Sequence, residues 1–186
     1  MGLHELLKGC EKSDSDAQRD LFVLFKNALM GICVRYSKNN EQAEEMLKKG
    51  FVNIFNSIKN LPAEDQLESW LKSKMVDTAI EVLRSNKQEY KIVSTANAYD
   101  GIGTHDKIND QEVIRSMDNK DVIKAIQALT PAFRVVVNLH LVDGYSTKQV
   151  SDRLDVGEAT IKLNFDKAMY QLRRNIVQLT TVSHAE

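Results

Sequence analysis

The sequence of 186 residues has little of what interrupts or staples a chain: two prolines, eight glycines, two cysteines and one tryptophan. Scarce proline and glycine let helices run for several turns. Alternation of apolar and polar residues never persists beyond a few positions, so strands are not expected. Cys10 and Cys33 have no paired spacing, and His4, His105, His140 and His184 are scattered. That excludes a disulfide scaffold and a zinc centre, and no cofactor or metal is expected. No apolar run approaches the roughly 20 residues a membrane helix needs. The opening MGLHELLKGCEKSD is too short and too polar for a signal peptide. A cytoplasmic protein with no membrane partner is the expectation. An excess of one charge is also missing: 25 Lys and Arg stand against 26 Asp and Glu, for a net charge of −1 and a pI near 6.4. A uniformly basic DNA binder is thereby excluded, and any nucleic-acid contact must come from local patches or be supplied partly by another molecule. Gly-rich phosphate loops, nucleophile elbows and metal-ligand spacings are absent, so the chain is not expected to be an enzyme.

What is present is helical periodicity. SDSD before Ala17 offers several N-caps. The stripe that follows holds Leu21, Phe22, Leu24, Phe25, Ala28, Leu29, Ile32 and Cys33, and SKNN ends it. Cys33 on this stripe reads as core. A second helix from Glu41 turns Ala43, Met46, Leu47, Phe51, Ile54, Phe55 and Ile58 inward, with Glu44, Glu45, Lys48, Lys49, Asn53 and Asn56 opposite. After a loop at Pro62, a third places Trp70, Leu71, Met75, Thr78, Ala79, Val82 and Leu83 inward. Lys72, Lys74, Arg84, Lys87 and Lys91 make it the most cationic segment of the first half. Trp70, beside Leu71, is expected in the core.

Periodicity stops between Ile92 and Gln111, where small polar residues and glycines predict a solvated tether. Beyond it, Asn119–Leu129 forms a short helix with Val122, Ile123, Ile126 and Leu129 inward. Thr130-Pro131 starts another, which runs to Val142 and stops at Asp143-Gly144. Ser146 and Gln149 form a capping box. Asp155 to Gly157 turns the chain into a last helix with Ile161, Phe165, Ala168, Leu172 and Ile176 on one stripe. Its C-terminal end is expected at Arg173 and Arg174, where cations complement the helix dipole. A short capped helix, a tight turn and a longer helix predict a helix-turn-helix. Exposed positions on its second helix enter the major groove. The candidates are Thr160, Lys162, Leu163, Asn164, Asp166 and Lys167. The lysines suit phosphate or guanine, Asn164 suits adenine and Leu163 a thymine methyl.

The segment LTPAFRVVVNLHLVDGYSTKQVSDRLDVGEATIKLNFDKAMYQLRR resembles region four of extracytoplasmic-function sigma factors, a family of bacterial RNA polymerase sigma factors. The matches are Leu129, Pro131 (displaced by one), Arg134, Val136, Leu139, Gly144, Ser146, Leu154, Thr160, Lys162 and Ala168. EQAEEMLKKGFVNIFNSIKNL and WLKSKMVDTAIEVLR resemble two segments of the same family's region two. A response-regulator output domain would share the helix-turn-helix but not the Trp70-Leu71 segment.

The resemblance implies an all-α chain of two small helical domains joined by a flexible linker. Residues 1–91 would be the region-two domain, 92–111 the linker and 112–186 the helix-turn-helix domain. It implies promoter binding, strand opening and transcription initiation with core RNA polymerase. Glu44, Glu45, Lys48 and Lys49 would face the polymerase. Lys72, Lys74, Asp77, Arg84 and Lys87 would lie along the upstream promoter element. Thr160, Lys162, Leu163, Asn164 and Lys167 would read the distal element.

Departures from the family pattern gather at these positions. Lys48 stands for Gln, Lys49 often for an acid, Asp77 for Asn and Glu81 for Asp. Leu163 and Asn164 stand for Ser and Arg, Asp166 adds a negative charge, and Met169 replaces a frequent Arg. They motivate an alternative: a divergent sigma-like adaptor that binds polymerase while a separate DNA-targeting protein or complex chooses the site. The exposed helix faces would also admit an anti-sigma factor.

Overall fold

The structure, a computed structural model, describes residues 2–60, 64–92 and 118–183, without the side chains of 60, 64 and 180–183. The expected linker lies outside the described residues but for Ile92. The chain divides into two compact units, Met1–Ser85 and Asn86–Glu186. Residues 86–91, expected with the first domain, thus group with the second.

The first unit holds helices α1 (Leu3–Glu11), α2 (Ser15–Tyr36), α3 (Asn40–Ser57) and α4 (Leu67–Ser85), with short 3-10 turns at Ile58–Asn60 and Glu64–Gln66. The short α1 is a helix in the opening segment, to which the sequence pattern assigns no element. It buries Leu6, Leu7 and Cys10, and Gly9 lets it approach α2 so closely that a Cβ there would press on Ala17. Two side-chain caps set the next starts. Asp14 Oδ1 accepts from the backbone N–H of Asp16 and Ala17 at 2.9 and 3.0 Å, and Asn39 Oδ1 accepts from Gln42 N–H at 2.9 Å. Each satisfies donors a helix start leaves open.

Helix α2 contacts α1, α3 and α4, and α3 packs along α4. Gly50 makes the last approach possible, because a Cβ there would collide with the Met75 thioether. Phe51 meets Phe22 and Phe55 with tilted rings, centroids 4.7 and 5.9 Å away. Leu21, Leu29, Met46, Ile54, Leu71 and Met75 are fully buried, each worth about 1.5–3 kcal/mol by apolar transfer.

The buried stripe of α2 is narrower than its apolar spacing predicts. Leu24 is 59% exposed, and Ala28 is exposed too. At about 100° per residue the buried line through Leu21, Leu29, Ile32, Cys33 and Tyr36 leaves Leu24 on the flank. Trp70, expected in the core, is half-buried at the start of α4, with Lys74 Nζ 5.6 Å from its ring centroid.

The second unit holds α5 (Asn119–Gln127), α6 (Pro131–Val137), α7 (Thr147–Leu154) and α8 (Glu158–Ser183). Helix α6 widens into a π-helical turn over Asn138–Val142, closed by Asp143 N–H donating to the Asn138 carbonyl at 2.8 Å. Gly144 follows with φ +75°, the left-handed conformation anticipated there. Helix α8 contacts α5, α6 and α7. Its Ala168, Met169, Leu172 and Ile176 meet Ala125, Ile126, Leu129 and Val137 in one core. The helix continues to Ser183, so Arg173 and Arg174 sit inside it and no basic residue lies in its last turn. The dipole role expected for them is corrected accordingly.

Arg134 organises this unit. It is only 3% exposed. Its Nε donates to the Ile126 carbonyl at 3.3 Å, and its Nη2 donates to the carbonyls of Gln127 and Leu129, each at 2.7 Å. These acceptors sit at the end of α5, where the last carbonyls have no N–H of a further helical turn to accept from and the dipole is negative. Burial lowers the guanidinium pKa to about 10, opposed by the Glu89 carboxylate. The group remains charged at neutral pH.

Candidate nucleic-acid interface

The helix-turn-helix is built by local chemistry. Ser146 Oγ accepts from Gln149 N–H at 3.3 Å, and Gln149 Oε1 accepts from Ser146 N–H at 2.8 Å, the capping box read from the sequence. The tight turn is closed by Asp155 in the left-handed region at φ 53°. Ser151 Oγ donates across it to the Val156 carbonyl at 2.7 Å. Val150 and Leu154 of α7 are buried, as is Ile161 of α8. The Arg153 guanidinium stacks over the Tyr145 ring at 4.8 Å.

The rotational setting of α8 decides which side chains a duplex could meet. Ile161, Asn164 and Ala168 are 0% exposed and define its inner face. Asn164 is therefore no reader of bases. Its Nδ2 donates to the Thr160 carbonyl at 2.7 Å within the packed unit, which corrects the expected exposed asparagine. The reason is phase: positions 161, 164, 168 and 172 follow three- and four-residue spacing, and a polar residue at such a position is drawn inward with its neighbours.

Lys162 and Asp166 are exposed, while Thr160, Leu163 and Lys167 are partly exposed. Ala159 and Tyr170 are exposed on the same side and were not in the expected set; the burial of Asn164 is the signal that brings them in.

In the first unit, Glu44, Glu45 and Lys48 are exposed on α3, and Lys49 is partly exposed. Lys49 Nζ pairs with Glu81 Oε1 of α4 at 3.1 Å, beside Asn53 Nδ2 donating to Thr78 Oγ1 at 3.0 Å. Val52 is 57% exposed on the turn after Lys48, an apolar member of this face that the polar pattern hid. On α4, Lys72, Asp77 and Lys87 just beyond it are exposed, and Lys74 and Arg84 are partly so. Neighbours temper the cationic surface expected here: Lys72 Nζ pairs with Glu68 at 2.6 Å, and Lys74 lies over Trp70.

Among the described residues no helix is long and apolar enough to cross a membrane, and no group of three or more His, Cys, Asp or Glu gathers as a metal site. Burial lowers the pKa of His140 below the ordinary 6.5, opposed by a hydrogen bond to the Tyr145 backbone. Its ring lies 4.9 Å from Phe165 of α8.

Residues 119–172 match the family model "Sigma-70, region 4". The second unit is thus a sigma-70 region 4 helix-turn-helix. Similarity extends through the rest of the chain. It is 20% identical over 185 residues to the ECF RNA polymerase sigma factor SigW of Bacillus subtilis, covering 96% of this chain and 99% of that one. It is 23% identical over 181 residues to the ECF RNA polymerase sigma-E factor of Haemophilus influenzae, covering 94% and 95%. A solved structure of the sigma factor RpoE in complex with the anti-sigma factor NepR, from Bartonella quintana, matches with a TM-score of 0.49 and 14% identity, over 85% of this chain and 95% of that one. Along nearly its whole length the chain is thus similar to extracytoplasmic-function sigma factors, with the family-model match confined to residues 119–172.

Proposed function

We propose that this chain directs transcription initiation by core RNA polymerase through promoter DNA binding and strand opening. The observation that carries the reading is the helix-turn-helix, with α8 presenting Lys162, Leu163 and Lys167 outward beyond a capped α7. A helix so held fits the major groove, where lysines take phosphate or guanine and apolar side chains take thymine methyls. Similarity to sigma factors along nearly the whole chain supports core polymerase as the partner.

The α3 face with Glu44, Glu45, Lys48, Lys49 and Val52 is the proposed polymerase contact. Lys72, Lys74, Asp77, Arg84 and Lys87 form the proposed surface along the upstream element, where strand opening needs cationic contacts to backbone and no bond chemistry. Thr160 joins Lys162, Leu163 and Lys167 at the distal element. An anti-sigma factor is a further proposed partner, which the exposed helix faces would admit. The proposed compartment is the cytoplasm, where polymerase works.

Reconstitution with core polymerase tests the reading. Transcripts should start at defined positions downstream of a shared sequence only when the chain is added. Polymerase that fails to retain the chain, or that starts at random with it, would refute the assignment.

A further inference from the structure

The outward face of α8 carries a carboxylate where a DNA-reading helix meets a polyanion. With Ile161, Asn164, Phe165, Ala168 and Leu172 taken as the inner direction, about 100° per residue sets the outer one. Ala159, Leu163, Asp166 and Tyr170 then lie within roughly 40° of the outward direction, and Lys162 and Lys167 lie roughly 60–80° to either side. Asp166 is exposed and makes no ion pair with another described residue. The centre of the face is therefore a methyl, a leucine, an acid and a phenol, with the cations at its margins.

That placement restricts what Asp166 can meet. A carboxylate at neutral pH only accepts hydrogen bonds and is repelled by phosphate. The major groove offers it two donors, the N4 amine of cytosine and the N6 amine of adenine. Adenine sets its N7 acceptor beside that amine, which opposes a carboxylate lying between the two. Cytosine offers its amine without an acceptor of its own on the groove edge. Lys162, one turn towards the helix start, and Lys167 on the other flank are placed to hold the backbone or a guanine on either side.

We propose that Asp166 is a specificity-determining residue that reads one cytosine of the bound duplex through its N4 amine. The proposal rests on the promoter-binding reading of α8. The same carboxylate, left without a donor on other sequences, weakens binding to them. Selectivity thus comes from a residue that lowers general affinity, in keeping with a chain of net charge −1.

The test selects duplexes from a random library with the full chain assembled on core polymerase, then sequences the bound fraction. Wild type should enrich a motif with about tenfold preference for cytosine at one position. Asp166→Ala should lose the preference at that position alone and bind unselected DNA more tightly. Asp166→Asn should move it towards adenine, whose N6 and N7 suit an amide. An enriched motif identical in all three proteins would overturn the proposal and leave promoter binding standing. A motif lacking any cytosine affected by Asp166 would do the same. If wild type assembles with polymerase yet enriches nothing, promoter reading fails, and this proposal fails with it. Asp166 is exposed, so both variants should melt where wild type does; matched thermal curves verify that the comparison is of readout.

Discussion

The side-chain amide of Asn164 donates to the Thr160 carbonyl one helical turn back, at 2.7 Å, with the asparagine fully buried. This local bond lets a polar residue occupy an inner position of α8. It separates a structural asparagine from its exposed neighbour Lys162. Asn164→Ala should cost about 1 kcal/mol of stability by removing the buried hydrogen bond, while the selected DNA motif stays the same. Lys162→Ala and Lys167→Ala should leave the melting curve in place and lower DNA affinity. Where the lysine neutralises a phosphate, its removal should reduce the slope of log K against log salt by about one. Titrations at several salt concentrations, beside denaturant unfolding, check both halves.

Arg134 should matter to folding rather than to DNA. Its guanidinium reaches three carbonyls at the end of α5 from a buried site. Arg134→Ala removes all of these bonds and should destabilise the second unit by about 3 kcal/mol, given about 1.5–3 kcal/mol for a hydrogen bond to a charged group and strong non-additivity. Arg134→Lys keeps the charge but not the fork, and should recover only part of the stability. Amide exchange across α5 and α6 would register the change, with the first unit unaffected.

His140 makes the second unit sensitive to acid. Burial beside Phe165 holds its pKa below the ordinary 6.5, so the native state favours the neutral ring. The contribution to stability is complete above 6.5, where the unfolded state is also neutral. It declines as pH falls below 6.5, because the unfolded state then takes up the proton first. His140→Phe should flatten this part of the stability profile. A variant whose stability between pH 7 and 5 falls as steeply as wild type would show that other groups dominate.

The two thiols should be inert in the folded protein. Cys33 is fully buried and its pKa is pushed up to about 12 by desolvation; Cys10 is raised too, by burial and by Asp14. Little thiolate forms at pH 8, so iodoacetamide should label neither until denaturant is added. Mass spectrometry of native and unfolded samples decides it. Rapid native labelling of Cys33 would contradict its place in the core.

Much of the local structure is legible along the chain. The capping box of Ser146 and Gln149, the start at Pro131 and the left-handed Gly144 depend on neighbours a few residues away, and all three stand in the structure. The inner stripe of α3 is equally plain, since three- and four-residue spacing is a property of the sequence. Where a helix meets its partners is less plain. Leu24 and Trp70 are apolar residues at permitted spacing, yet one is exposed and the other half-buried, because a helix buries only the arc that a neighbour covers. The face of α8 escapes prediction for the same reason: residue type alone makes Asn164 a base reader, while nothing in the pattern singles out Ala159 and Tyr170.

The amino-acid order by itself determined the helices, their caps and the similarity to sigma factors, because these rest on short-range spacing and on motifs. Only the tertiary structure decided which way each helix faces, which lysines are already paired with an acid, and that Arg134 serves the α5 carbonyls. Those outcomes depend on residues far apart in sequence meeting in space, and the choice between core and surface is made there.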